Sequence, residues 1–166
     1  MAIFPIRTYP DPVLRLPAAV VGDFGPDLRR LVDDMVETMY AAPGVGLAAP
    51  QIGVSLRVFV FDAGAGPMHV INPQLEETSG EYEYEEGCLS VPEHYWPIVR
   101  PAYARVRAVD LDGREVVYEG EELTGRVLQH ESDHLDGMLL LSRLGRRERK
   151  QALRDLRLEA MERGGA

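Results

Sequence analysis

One cysteine in 166 residues leaves no partner for an internal disulfide, so the fold has to be held by its core, and a reducing compartment is the expected setting. No run of 18 or more apolar residues occurs, which excludes an ordinary membrane-spanning helix and any membrane partner reached through one. The opening MAIFPIRTYP is too polar and too rich in proline for a secretory leader. Cytoplasmic residence is therefore expected. A basic excess is missing too. The formal charge of −9 argues against wholesale phosphate contact, and so against direct DNA binding. Internal repeats, linkers and low-complexity stretches are also absent.

What remains is an ordinary globular composition, 45% apolar and 27% charged, in a chain long enough to bury about two-thirds of its unfolded surface. One domain over residues 1–166 is expected. The charge is unevenly spread. From Arg143 to the C-terminus eight Arg and Lys face four acids, net +4, which leaves −13 for the rest. That segment reads either as a solvated helix face or as an electrostatic handle for an anionic partner such as RNA.

Leu28, Leu31, Val32, Met35, Val36 and Met39 recur at helical spacing and predict an amphipathic helix over 26–40. PGVGLAAPQIG after it is a Gly- and Pro-rich loop too irregular for either period. RVFVFDA from Arg57 and HVINP from His69 read as strands. RVRAVD and REVVYEG flank an Asp-Gly pair and read as a hairpin. Residues 122–136 read as a helix stopped by Gly137, and 146–161 as another with Leu153, Leu156 and Ala160 inward. The predicted class is α+β, with mainly antiparallel strands packed around a central helix, and a C-terminal helix.

The stretch QHESDHLDG lies on that central helix. Leu123, Val127, His130 and His134 share one face, so two imidazoles four residues apart can hold one ion, while Glu131 is placed to touch a water on it. This is the H-E-x-x-H pattern of metal hydrolases. Buried histidines that merely hydrogen-bond in a core are the plainer alternative. A catalytic site needs a third protein ligand. No histidine follows His134, which leaves two routes. Glu159 on the last helix would give an H-E-x-x-H metallopeptidase, and Cys88 in EEGCLSVPE would give a Cys-His-His site. A lone cysteine can equally be a small buried hydrophobe.

Taken together, GVGLAAPQ (44–51), EGCLS (86–90) and QHESDHLDG (129–137) resemble the peptide deformylase family of the bacterial type, and LVDDMVETMYA and VRAVDLDGRE extend the likeness. The resemblance implies a metal-dependent hydrolase that removes the N-formyl group from the initiator methionine of nascent polypeptides. It implies Fe(II), replaceable by Zn, Ni or Co, held by Cys88, His130 and His134. It further implies Glu131 as acid and base, Gln51 and the backbone N–H of Leu89 as oxyanion donors, and Gly46 as a contact for the substrate backbone. The ribosome becomes the implied partner for the basic C-terminal helix. Methionine requires an apolar slot, for which Val45, Leu123 and Val127 are the candidates. Arg126 departs from the expected aliphatic residue on the metal helix and is expected to bend outward or to line the pocket mouth. His94, Tyr95 and Trp96 receive no role.

Overall fold

A computed structural model describes residues 2–164. The elements run α1 (Pro26–Ala41), β1 (Gly46–Ala48), β2 (Val58–Phe61), β3 (Met68–Ser79), β4 (Tyr82–Cys88), β5 (Val91–Arg100), β6 (Tyr103–Val109), β7 (Glu115–Glu121), α2 (Glu122–Leu135) and α3 (Arg146–Arg163). Strands β1-β2-β3-β6-β7 form one antiparallel sheet in that order, and β4 and β5 form a separate hairpin. The class is α+β, as expected.

Strand β2 shows why α2 is central. Its four residues are all buried, but they alternate in what they touch. Val58 and Val60 pack with Leu28, Val32, Met35 and Met39 of α1, whereas Phe59 and Phe61 pack with Val127, Leu128 and Leu135 of α2. A sheet covered on both faces loses the polar alternation of a half-solvated strand. Each large apolar side chain buried here contributes about 1.5–3 kcal/mol. The two clusters hold the sheet between the helices. From Gly125 to Leu135 every residue of α2 is buried, so polar side chains on it must find partners inside the protein.

Local chemistry fixes the helix ends. Pro26 occupies the first turn of α1 with Asp27 beside it, where a missing N–H costs nothing and a negative charge meets the helix dipole. Helix α2 stops at Gly137, whose φ is 77°. The Met138 N–H reaches the Asp133 carbonyl at 2.9 Å and the Gly137 N–H reaches that of His134 at 3.1 Å, which closes the last turn. A side chain at 137 would also meet the Arg15 carbonyl oxygen at 2.6 Å.

Four readings of the sequence need correction. The segment 43–53 is not a plain loop, since it holds β1 and a short 3-10 turn over Ala49–Ile52. The strand read as HVINP runs on to Ser79, with register shifts that mark bulges. Strand β5 was not expected, because Pro92 and Pro97 break its pattern; among the described residues it pairs with β4 alone, and an edge strand tolerates proline. In α3 the buried residues are Ala152 and Leu156, with Leu153 half-buried and Ala160 exposed. Helix α3 packs on the body through Ala152, Leu153 and Leu156, in a third cluster with Leu14, Val91, Ile98 and Leu139–Leu141.

Candidate metal centre

Helical spacing brings His130 and His134 side by side on α2, with ring centroids 5.0 Å apart. The end of β4 delivers Cys88, whose Sγ lies 3.4 Å from His134 Nε2. One sulfur and two imidazole nitrogens, from Cys88, His130 and His134, all fall within 4.8 Å of one another. His130 Nδ1 donates to Glu86 Oε2 at 2.7 Å, which fixes the ring and leaves Nε2 as the nitrogen that can meet an ion once its proton is given up. A thiolate and two imidazoles gathered this closely fit a borderline divalent transition ion.

A buried ionic network stands behind His130. Arg100 holds Glu86 through Nε and one terminal nitrogen, each at 2.8 Å, and reaches Asp133 at 2.9 Å. Arg126 also bonds Glu86, and Arg143 takes both oxygens of Asp133 at 2.9 and 2.6 Å. Burial alone would raise the Glu86 pKa, but His130 and Arg100 outweigh it and hold the carboxyl well below the usual range. Burial, reinforced by His130 and Arg100, pushes the His134 pKa well below its ordinary value. A neutral ring is the form that binds a metal. At His130 burial opposes the charged ring, yet Glu131, Cys88 and Glu86 together raise its pKa.

Glu131 is only 3% exposed, and its Oε1 has no partner among the described residues. Burial foremost, helped by Glu86 and Asp133 against His130 and Arg100, raises its pKa to about 7. A carboxyl poised there can take or give a proton at neutral pH. Strand β1 crosses it at backbone distance: a Cβ on Gly46 would lie 2.5 Å from Glu131 Oε2 and 2.9 Å from Val127 Cγ2. Only glycine fits. Gln51, fully buried, accepts from the Ala48 N–H at 2.9 Å through Oε1. Its Nε2 therefore points the other way, donating to Ser90 Oγ at 3.0 Å and approaching Cys88 Sγ at 3.8 Å. The Leu89 N–H, in the turn between β4 and β5, has no acceptor among the described residues.

These groups border a cavity of about 800 Å³, which Val45, Gly46, Gln51, Leu123, Val127 and Glu131 line. Val45 and Leu123 are each 40% exposed, at its rim, while Val127 is buried in its wall. The outward path expected for Arg126 is wrong. It borders the cavity, but its guanidinium turns inward, only 4% exposed, and bonds Glu86 and the carbonyls of Tyr82 and Ile98. A charge can be buried there because Glu86 meets it. Glu159 pairs with His94 at 2.8 Å and is not in the Cys-His-His group, so the ligand that the metallopeptidase alternative needs is engaged elsewhere. His94 also stacks on Trp96. Sequence reasoning gave no role to Glu86, Arg100, Ser90 or Tyr84. Alternation along YEYEEGC, which puts Tyr82, Tyr84, Glu86 and Cys88 on one face, was the usable signal for two of them. Nothing in the sequence pairs Arg100 with Glu86.

Residues 3–150 match the profile of the Polypeptide deformylase family. Peptide deformylase of Acidothermus cellulolyticus is 49% identical over 157 residues, covering 95% of this chain and 87% of that protein. The Acidobacterium capsulatum enzyme of the same name is 47% identical over 170 residues, covering 99% of each. The crystal structure of peptide deformylase from Thermus thermophilus superposes with a TM-score of 0.90 at 44% identity, covering 96% of both chains.

Proposed function

The chain belongs to the polypeptide deformylase family, and from that premise we propose how its residues divide the work. The reaction is hydrolytic removal of the N-formyl group from the initiator methionine of nascent polypeptides, with release of formate. The observation that carries the assignment is the meeting of one sulfur and two ring nitrogens within 4.8 Å, beside the buried Glu131 carboxyl, whose Oε1 has no partner among the described residues. Cys88, His130 and His134 hold the ion. Iron(II) is our choice, with Zn, Ni or Co able to replace it, because a mixed thiolate and imidazole set suits all four. Such an ion, when bound, lowers the pKa of water from its bulk value toward about 7 and so supplies hydroxide at neutral pH.

Glu131 accepts the proton of the attacking water and delivers it to the departing amine nitrogen. As the formyl carbon becomes tetrahedral, negative charge gathers on its oxygen. Gln51 Nε2 and the Leu89 N–H are the donors for it, and one such donor contributes about 3 kcal/mol. Ala48 and Ser90 hold the glutamine amide in place, so no reorganisation is needed during the step. Gly46 lets an extended peptide lie along β1 as an added strand. Val45, Leu123 and Val127 form the apolar slot for methionine.

The cations of α3 support a further role for this helix. Arg146, Arg147, Arg149, Lys150, Arg154, Arg157 and Arg163 make no ion pair among the described residues. An RNA-rich ribosome, from which the substrate emerges, is a surface they fit. No described helix is long and apolar enough to cross a membrane. We place the protein in the cytoplasm, as one domain over 1–166.

The test is formate release from formyl-Met-Ala-Ser by anaerobically purified protein. Turnover is expected, with the acetyl peptide at least about tenfold slower, since one added methyl must displace packed atoms or the water. Casein cleavage with an inert formyl peptide would overturn the reading.

A further inference from the structure

The two oxyanion donors come from turns that share no sheet. Gln51 sits in the 3-10 turn after β1, at one edge of the five-stranded sheet, and Leu89 sits in the turn of the separate β4–β5 hairpin. Among the described residues no backbone hydrogen bond joins 44–53 to 88–91 directly. Gln51 Nε2 bonds Ser90 Oγ, but side chains can follow by rotation if the turns drift apart. The spacing of the donors needs a backbone link. Building on the deformylase reading, we propose that the N-terminal segment supplies it, with Arg7 and Tyr9 as positioning residues whose backbone N–H groups brace the Gln51 and Leu89 turns against each other.

The Arg7 N–H donates to the Gln51 carbonyl at 2.6 Å, and the Tyr9 N–H donates to the Ser90 carbonyl at 2.8 Å. One short segment therefore ties down the residue with the side-chain donor and the neighbour of the residue with the backbone donor. Gln51 and Ser90 are both buried, where a carbonyl without a donor is costly. Packing runs the same way. Ile6 rests on the cluster that contains Ala49 and Ile52, and Tyr9 on the cluster that contains Val91, so residues 6–9 cross from one core to the other.

The brace is fixed at both ends. Upstream, Asp34 and Thr38 of α1, both buried, accept from the Ala2 and Phe4 N–H groups at 2.7 and 3.1 Å. Downstream, Asp11 accepts from the Val13 N–H at 3.0 Å and caps a 3-10 turn over Pro12–Arg15, from which Leu14 enters the third cluster. The Arg7 guanidinium lies over Gly53, where a Cβ would meet its Nη2 at 2.7 Å, and bonds Asp11 at 3.1 Å. Neither Arg7 nor Tyr9 lines the cavity beside the metal centre, so they act through Gln51 and Ser90 rather than on substrate. Donors held in place before charge develops need no reorganisation during the step, and a displacement of about 1 Å can cost on the order of 10²-fold in rate.

The experiment measures kcat and KM for formyl-Met-Ala-Ser in wild type, Arg7→Ala, Arg7→Pro, Gln51→Ala and the Arg7→Pro/Gln51→Ala double variant, each at measured metal content. Alanine keeps the N–H and proline removes it. Arg7→Pro should fall about tenfold below Arg7→Ala in kcat, with KM and metal content alike. Gln51→Ala should cost about 10²- to 10³-fold. Adding Arg7→Pro to it should cost no more than about twofold, because spacing matters only while both donors are present, whereas a merely structural defect would multiply through. Thr38→Val, which cannot accept from Phe4, should lose about threefold in kcat, again only while Gln51 is present, and it decides the matter if Arg7→Pro does not fold. Equal kcat in Arg7→Pro and Arg7→Ala, or a loss that persists in full without Gln51, overturns the proposal while leaving deformylation intact. Gln51→Ala at wild-type turnover removes Gln51 as a donor and the proposal with it. Wild type that releases no formate overturns the deformylase reading itself.

Discussion

Ionising a carboxyl that is almost wholly buried costs free energy, and Glu131 bears that cost with a pKa near 7 against 4.5 in the unfolded chain. Below pH 4.5 both states are protonated and the cost is nil. It grows as pH rises from there to about 7 and is complete above, at most on the order of 3 kcal/mol. In chelator-treated protein, Glu131→Gln should therefore melt higher than wild type at pH 8 and alike at pH 4. Equal melting at pH 8 would remove the idea that function, not stability, keeps this carboxylate. At Gly46 the conflict is steric. Gly46→Ala puts a methyl 2.5 Å from Glu131 Oε2 and should cost at least about tenfold in kcat/KM by displacing the base. Metal content, read by elemental analysis, should stay at the wild-type level.

The centre is assembled from two elements, and Glu86 joins them. It belongs to β4, two residues before Cys88, yet it bonds His130 and Arg126 of α2. Glu86→Gln should weaken metal affinity by about 10- to 100-fold, as loss of a carboxylate that orients a ligating histidine does. Competition with a chelating indicator measures this, and unchanged affinity would reduce Glu86 to a structural role. The helices were legible in the sequence because Leu28 through Met39 keep a 3.6-residue period and because His130 and His134 fall four apart. Strand β5 was hidden by its two prolines, and β1 by its glycine and its length of three residues. The inward turn of Arg126 was not legible, since the stacked tyrosines and Glu86 that receive it come from a strand some 40 residues earlier.

For the whole molecule, charge is divided between a negative body and a positive end. Replacing Arg146, Arg147, Arg149 and Lys150 with glutamine leaves Ala152 and Leu156, the buried residues of α3, untouched. Hydrolysis of a short formyl peptide should be unaffected, whereas co-sedimentation with ribosomes should fall and lose its salt dependence. Ribosome binding that ignores both the substitutions and added salt would remove the electrostatic role of α3. Motifs at 44–51, 86–90 and 129–137 were legible as one centre only through resemblance. Spacing alone left Cys88 and Glu159 open as the third ligand; Cys88 lies with both histidines, while Glu159 pairs with His94.

Formate turnover by wild type and Glu131→Gln at measured metal content tests the central claim most directly, because it separates holding the ion from moving the proton. The account predicts equal metal in both proteins and turnover about 10²- to 10⁴-fold lower in the variant. Metal lost together with the carboxyl, or turnover unchanged without it, would contradict the assignment of Cys88, His130 and His134 as the ligands and Glu131 as the base.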